Sequence, residues 1–190
     1  MLNVVIFGAP GSGKGTQSEL IIEKYNLAHI STGDVLRAEI KNQTELGKIA
    51  SDFISKGQLV PDELIIDMLA NVLDSKKEAK GVIFDGFPRT IPQAQALKKM
   101  LNERGTDVSV MLNLEVAEEE LIQRLLKRGE ISGRSDDNLE TIKSRLDVYN
   151  NQTSPLKEYY IGEGKHVAIH GMGTVEEIFG RVAEAIDAVK

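Results

Sequence analysis

Short apolar runs alternate along this chain with longer segments whose apolar residues recur at helical spacing. The apolar runs predict five strands, at about residues 4–7, 27–30, 81–85, 107–115 and 165–170. The segments with helical spacing predict helices at about residues 16–25, 44–56, 62–72, 91–104, 117–128, 137–152 and 174–189. This alternation predicts an α/β fold in which a parallel sheet is covered by helices on both faces.

Residues 31–60 form a longer connection than a simple crossover between two strands requires. We expect two or three short helices here, the first of them capped by Thr32 or Asp34. Pro61 disfavours helix at the residue before it, so a new helix is expected to begin at Asp62. The extra length predicts an inserted segment that binds substrate.

Polar residues mark two further helix starts. Thr174 with Glu177 predicts a capping box for the last helix, and Asp137 with Glu140 predicts a similar start after a glycine-bearing loop at residues 129–135. The last helix is expected to bury the apolar residues Ile178, Val182, Ile186 and Val189.

The densest chemical signal follows the first predicted strand, where residues 8–16 read Gly-Ala-Pro-Gly-Ser-Gly-Lys-Gly-Thr. Glycines allow successive backbone N–H groups to turn inward around a phosphate, and the helix behind the loop adds partial positive charge. Lys14 can reach the outer phosphates, and Thr16 offers a hydroxyl near bound Mg²⁺. A dinucleotide-binding loop would require glycine at Thr16, so the sequence favours a phosphate-binding loop.

Charged residues elsewhere fit a polyphosphate site. Asp85 ends the third predicted strand, where ligands of open α/β folds gather, and its carboxylate can hold Mg²⁺ directly or through water. Arg124 and Arg128 are four residues apart and share a helix face, where a bound anion would relieve their repulsion. The other candidate phosphate ligands are Arg37, Arg89, Arg134 and Arg145.

Composition narrows the classes of function. The chain has 190 residues, of which 41% are hydrophobic, and its net charge of −6 argues against nucleic acid or an anionic membrane as partner. The absence of cysteine excludes disulfides, thiolate zinc sites and thiol catalysis. No signal peptide or spanning apolar stretch is recognisable, so a cytoplasmic protein is expected. No long exposed apolar stripe stands out, which favours a monomer.

Several of these segments resemble the nucleoside monophosphate kinases, and the adenylate kinase branch in particular. The first likeness rests on Pro10 between the glycines and on the ending Gly-Lys-Gly-Thr. Three further signatures are resembled by residues 31–37, by residues 85–90 with Gln93, and by residues 133–137. The resemblance implies a single P-loop NTPase-type kinase domain over residues 1–190, with a five-stranded parallel sheet flanked by helices. It also implies a helical NMP-binding insert at about residues 31–60 and a short lid at about residues 127–137.

The resemblance implies roles for individual residues. Those implied for ATP are Gly11, Ser12, Gly13, Lys14, Gly15, Thr16, Arg128 and the backbone near Gly173. Those implied for AMP are Thr32, Arg37, Gln58, Leu59, Val60, Gly86, Phe87, Pro88, Arg89, Gln93, Arg134 and Arg145. Those implied to be catalytic are Lys14, Arg89, Arg124, Arg134 and Arg145. Asp85 would position Mg²⁺ through water.

The implied reaction is Mg·ATP + AMP ⇌ 2 ADP, by in-line transfer without a phosphoenzyme. The partners are then ATP, AMP and ADP, with Mg²⁺ as the cofactor. The short lid lacks the cysteine set that binds zinc in some long-lid members, so no zinc is expected. A UMP/CMP kinase is one alternative, although Thr32 and Gln93 favour adenine. A nucleotide-binding switch without catalysis is the other, and the number of arginines argues against it.

Overall fold

The computed structural model describes all of residues 1–190 and contains one five-stranded parallel sheet. The strands are β1 Leu2–Gly8, β2 Ala28–Ser31, β3 Gly81–Asp85, β4 Val110–Glu115 and β5 His166–His170. Their order across the sheet is β2-β3-β1-β4-β5. The predicted parallel α/β sheet is therefore confirmed, although β4 begins three residues later than expected.

Nine α-helices connect or follow the strands. They are α1 Lys14–Tyr25, α2 Thr32–Lys41, α3 Glu45–Ser55, α4 Asp62–Asp74, α5 Ile91–Asn102, α6 Glu118–Ser132, α7 Leu139–Val148, α8 Leu156–Gly162 and α9 Val175–Asp187. A π-helical turn, Tyr149–Thr153, lies between α7 and α8. None of the helices is long and apolar enough to cross a membrane.

Alternate residues of the central strands pack into two separate cores. On β1, Val5 and Phe7 belong to a core with α2 to α5 and α8, whereas Val4 and Ile6 belong to a core with α1 and α9. Since successive strand residues point to opposite faces, this division shows that both faces of the sheet are covered. The mostly apolar character of these strands follows from that double burial, with Asn3 and Asn113 as buried polar exceptions.

The strand register aligns the carboxyl ends of three strands. Asp85, the last residue of β3, lies opposite Ile6 of β1 on one side and Ser31 of β2 on the other. The loop that follows β1 and the helix that follows β2 therefore begin beside the Asp85 carboxylate. This edge is where an open parallel sheet binds ligands.

Residues 31–60 contain two helices, α2 and α3, joined by a short turn. The side chain of Ser31 caps α2 by accepting a hydrogen bond from the Asp34 N–H. The cap is therefore not Thr32 or Asp34, as expected, but the residue before Thr32. Thr44 caps α3 in the same way. The predicted two or three short helices are thus present.

The region after α6 differs from the expectation. Helix α6 continues through Gly129 to Ser132 and ends at Gly133, whose φ of 65° favours glycine. Helix α7 is capped by Asn138, not by Asp137, because the Asp137 carboxylate is fully buried among arginines. The loop expected at residues 129–135 is therefore shorter and starts later.

Two other expectations at the C-terminal end were incomplete. The capping box of Thr174 and Glu177 is present, and Ile178, Val182 and Ile186 are buried as predicted. Val189 is 44% exposed because α9 ends at Asp187, so its predicted burial is wrong. Helix α8 was not predicted, since its seven residues carry too short an apolar pattern.

The packing of the core predicts that leucine-to-alanine substitutions at a buried and at an exposed position lower the free energy of unfolding by different amounts. Leu97 of α5 is fully buried, whereas Leu126 of α6 is 37% exposed. Leu97→Ala is expected to lower the free energy of unfolding by about 2–5 kcal/mol, because it removes buried apolar contacts and leaves a cavity. Leu126→Ala should lower it by about 1 kcal/mol or less. Urea unfolding followed by far-UV circular dichroism measures both, and equal losses would contradict this packing.

Candidate active site

The loop after β1 is shaped by glycines and leads directly into a helix N-terminus. Gly11 and Gly13 have φ values of 82° and 97°, a conformation that other residues rarely adopt. A Cβ at Gly11 would also lie 2.8 Å from the side chain of Leu125, because the loop packs against α6. No side chain caps α1, so its first N–H groups are free to bind an anion.

Lys14 lies at the start of α1 with its ammonium group folded back onto this loop. Its Nζ donates to the carbonyl oxygens of Gly8 at 2.9 Å and Ala9 at 3.1 Å. The pKa of Lys14 is lowered to about 7, mainly because the side chain is buried; the charge of Asp85 opposes this shift, and the charges of nearby arginines add to it. The loop therefore holds a lysine whose charge depends on a nearby anion.

Asp85 contacts a histidine that the sequence did not single out. His29 of β2 places its Nε2 3.5 Å from Asp85 Oδ2. Burial alone would raise the pKa of Asp85, but the contact with His29 and the charge of Lys14 outweigh it and leave the pKa lowered. The same contact raises the pKa of His29. Asp85 is therefore an ionised carboxylate at the end of β3.

Two arginines approach the same edge from the segments that follow β2 and β3. Arg37 of α2 pairs with Asp34, one turn earlier in its own helix. Arg89 donates from Nε to the Gly86 carbonyl at 2.8 Å, and burial lowers the pKa of its guanidinium. Each guanidinium has five N–H donors, so both retain donors for an anion.

Two aspartates hold the arginines contributed by α6, α7 and the loop between them. Asp137 accepts from Arg128 Nε at 2.6 Å and Nη2 at 2.7 Å, and from Arg145 Nη1 at 3.1 Å. Asp136 accepts from both Arg134 Nε and Nη2 at 3.1 Å. The two carboxylates thus gather three arginines that the sequence placed around one loop.

Two further residues singled out in the sequence lie near the turn after β5: Arg124, predicted to be catalytic, and Gly173, predicted to lie near the ATP adenine. Arg124 donates to Glu120 at 2.9 Å and to the Gly171 carbonyl at 3.3 Å. Gly173, with a φ of 117°, completes the turn. Arg181 of α9, which the sequence analysis missed, fixes this turn through the carbonyls of His170 at 2.7 Å and Met172 at 2.8 Å.

A separate hydrogen-bonded group lies at the starts of α2 and α5. The Thr32 hydroxyl donates to the Gly86 carbonyl at 2.8 Å. Gln93 Oε1 accepts from the Arg89 N–H at 2.8 Å, and Gln93 Nε2 donates to Asp62 Oδ1 at 2.8 Å. Asp62 was predicted only as a helix start, because no pattern in the sequence relates it to Gln93.

These residues line two adjoining clefts at the carboxyl edge of the sheet. The first cleft is lined by the insert and the start of α5, including Thr32, Leu36, Gln58, Leu59, Val60, Pro88, Gln93 and Tyr149. The second cleft is lined by the glycine loop, α6 and the turn after β5, including residues 10–17 and Asp85, Arg124, Arg128 and Gly173. The Phe87 side chain lies in the core beneath the first cleft, next to a cis peptide bond with Pro88.

The two clefts share one wall, and that wall is cationic. The residues that line both are Pro10, Lys14, Gly33, Arg37, Gly86, Arg89, Arg134 and Arg145. Five of these eight carry a cationic side chain, so anions in either cleft would face the same charges. Such an arrangement suits transfer of a phosphoryl group between two bound molecules, which depends on positioning and on stabilising charge.

Comparison with known proteins agrees with this arrangement. The family model described as Adenylate kinase matches residues 6–165. The chain is 83% identical over 190 residues to the adenylate kinase of Parabacteroides distasonis, covering 100% of both proteins. It is 70% identical over 189 residues to that of Bacteroides fragilis, again covering 100% of both.

A more distant relative gives the same result. The adenylate kinase of Porphyromonas gingivalis is 57% identical over 187 residues, with 98% of this chain and 96% of that protein covered. Fold, clefts and sequence similarity together show that the chain belongs to the adenylate kinase family of nucleoside monophosphate phosphotransferases.

Proposed function

We propose that this chain transfers the terminal phosphoryl group of Mg·ATP to AMP across the wall shared by the two clefts, giving two ADP. The observation that carries the proposal is the set of five cationic side chains that line both clefts. ATP occupies the second cleft and AMP the first, so the phosphates of both nucleotides meet at this wall. In-line transfer then requires no covalent enzyme intermediate.

On the ATP side, the backbone N–H groups of residues 11–16 surround the phosphates at the start of α1. The Lys14 ammonium group leaves the carbonyls of Gly8 and Ala9 and moves with the migrating phosphoryl group. The negative charge of the phosphoryl group favours the protonated, positively charged form of Lys14. Arg128 contacts the ATP phosphates, and the backbone near Gly173 contacts the adenine. Both residues line the second cleft.

On the AMP side, Arg37 and Arg89 bind the phosphate through charge-assisted hydrogen bonds. The adenine lies among Thr32, the backbone of residues 58–60, and Gln93, all of which line the first cleft. After its two contacts, the Gln93 amide still has one N–H and one oxygen lone pair. Adenine offers the complementary acceptor and donor on adjacent atoms of its Watson–Crick edge.

The residues present fit a magnesium ion brought in with ATP. Asp85 is ionised, and the Thr16 hydroxyl lines the same cleft, so two hard oxygen donors are available. No group of three or more metal-ligating side chains is present, and Mg²⁺ bound with nucleotides is held mainly by phosphates and water. Asp85 would hold Mg²⁺ through water, and the ion would neutralise charge on the ATP phosphates.

Arg124, Arg134 and Arg145 complete the machinery by stabilising negative charge as the phosphoryl group moves. Two segments exclude water from the site: the insert at about residues 31–60 and the lid at about residues 127–137. The end of the insert already contacts α7, where the Ser144 hydroxyl donates to the Lys56 carbonyl at 2.8 Å. Contacts of this kind bring Arg145 beside the first cleft.

Two finer properties belong to the same proposal. We propose a monomer, because the large exposed apolar side chains are distributed over several elements and do not form one stripe; examples are Ile49, Ile131, Ile161 and Val175. We also propose that the enzyme works in the cytoplasm, where a cysteine-free chain needs no oxidising environment.

The lowered pKa of Lys14 predicts that ATP binding takes up a proton. In the free protein Lys14 loses its charge as the pH rises through about 7, whereas bound phosphates keep it charged. About one pH unit above this pKa, uptake should be roughly nine-tenths of a proton per ATP, and about one unit below it roughly a tenth. Titration calorimetry in buffers of different ionisation enthalpy measures the uptake.

Two variants identify the group that is responsible. Lys14→Met should abolish this uptake, whereas Lys76→Met, which removes an exposed lysine outside both clefts, should leave it unchanged. Uptake that persists in Lys14→Met would show that another group titrates.

Arg89→Ala tests the position of the acceptor. Loss of a charge-assisted contact of about 1.5–3 kcal/mol should lower kcat/KM for AMP roughly ten- to hundredfold, with little change in Tm. Arg104→Ala is the matched control, because Arg104 pairs with Asp74 away from both clefts. Initial rates at varied AMP measure the effect, and wild-type kinetics in Arg89→Ala would remove Arg89 from the acceptor site.

A further inference from the structure

One carboxylate oxygen joins the starts of two helices beneath the first cleft. Asp62, the first residue of α4, accepts at Oδ1 from Gln93 Nε2 at 2.8 Å and from the Thr90 hydroxyl at 2.9 Å. Thr90 in turn caps α5 by accepting from the Gln93 N–H at 3.3 Å. Gln93 is itself buried, with 2% of its surface exposed. Asp62 is therefore connected to Gln93 by a direct bond and by a bridge through Thr90.

These contacts allow only one orientation of the Gln93 amide. A carboxylate only accepts hydrogen bonds, so the amide nitrogen must face Asp62. The Arg89 N–H only donates, so the amide oxygen must face Arg89, as it does at 2.8 Å. A flipped amide would place acceptor against acceptor and donor against donor, leaving buried polar groups unpaired.

The orientation matters because it determines which bases the remaining amide N–H and oxygen lone pair can match. Adenine offers an acceptor at N1 beside a donor at N6, whereas guanine and uracil offer the reverse order of donor and acceptor. A fixed amide can match only one of these orders. A freely flipping amide could match either.

We propose that Asp62 is a positioning residue that locks the Gln93 amide and thereby sets the discrimination of AMP against GMP and UMP. The inference rests on the proposed role of Gln93 in reading the base. Asp62 does not touch the nucleotide, since it lines neither cleft and acts through Gln93.

The same helix turn offers a control for a purely structural role. Glu63 follows Asp62 in the first turn of α4, carries the same charge, is exposed, and has no hydrogen-bond or ion-pair partner. Each of the two carboxylates stabilises α4 by interacting with the positive N-terminal end of its dipole. Glu63→Ala therefore removes an electrostatic contribution similar to that of Asp62 without affecting Gln93.

The experiment measures kcat/KM for AMP, GMP and UMP, the KM for Mg·ATP, and Tm. In Asp62→Ala, the preference for AMP over GMP should fall about tenfold and the KM for AMP should rise, with the KM for ATP unchanged. Asp62→Asn should restore the preference, because its amide oxygen can accept from both Gln93 and Thr90. Glu63→Ala should behave as the wild type.

A second substitution at the same position tests whether misfolding explains the effect of Asp62→Ala. Asp62→Ser keeps a polar residue suited to the start of a helix but is too short to reach Gln93, so it should lose the preference as Asp62→Ala does. A double-mutant cycle adds a readout independent of stability. In a Gln93→Leu background, Asp62→Ala should cause no further loss of preference, because its effect passes through Gln93.

The outcomes separate this inference from the proposed function. If Gln93→Leu lowers the preference for AMP but Asp62→Ala matches Glu63→Ala, the role of Asp62 is overturned and the role of Gln93 stands. If Gln93→Leu leaves the preference unchanged, both are overturned. An equal fall of kcat/KM for all three monophosphates in Asp62→Ala would show a structural role only.

Discussion

Repulsion between the cationic side chains of the shared wall is the constraint on which the rest of the site depends. Arg145 shows this repulsion in part: its pKa is lowered to about 10, first by burial and then by the charges of Arg89, Arg134 and Arg128, while Asp136 opposes the shift. Acceptors hold the group together: loop carbonyls bind Lys14, Asp136 binds Arg134, and Asp137 binds Arg145. Nucleotide phosphates can replace or add to these acceptors, so substrate binding relieves repulsion that is already present.

The parallel sheet brings these charges together from distant parts of the sequence. Because β1, β2 and β3 run in the same direction, the glycine loop, the start of α2 and the segment after Asp85 all begin at one edge. Helices α6 and α7 then cover that edge with a further set of arginines. A chain with a net charge of −6 can thus present a strongly positive surface at one point.

The parallel sheet and the glycine-rich loop between β1 and α1 were predictable from the sequence, since both depend on local patterns. Apolar runs locate strands, and residues 8–16 carry their chemistry in consecutive positions. Partnerships between distant residues were not predictable. The contacts of His29 with Asp85 and of Asp62 with Gln93 arise from packing between distant segments. The sequence pattern predicted Asp137 as a helix cap, but its carboxylate is buried and pairs with Arg128.

The central claim is that the shared wall transfers a phosphoryl group from ATP to AMP. Its most direct test is to incubate the purified protein with Mg·ATP and each nucleoside monophosphate in turn and to quantify every nucleotide by chromatography. The account predicts rapid formation of two ADP for each ATP consumed with AMP, and slow turnover with GMP, UMP and CMP. Preference for a pyrimidine monophosphate, or ATP binding without turnover that depends on an acceptor, would contradict it.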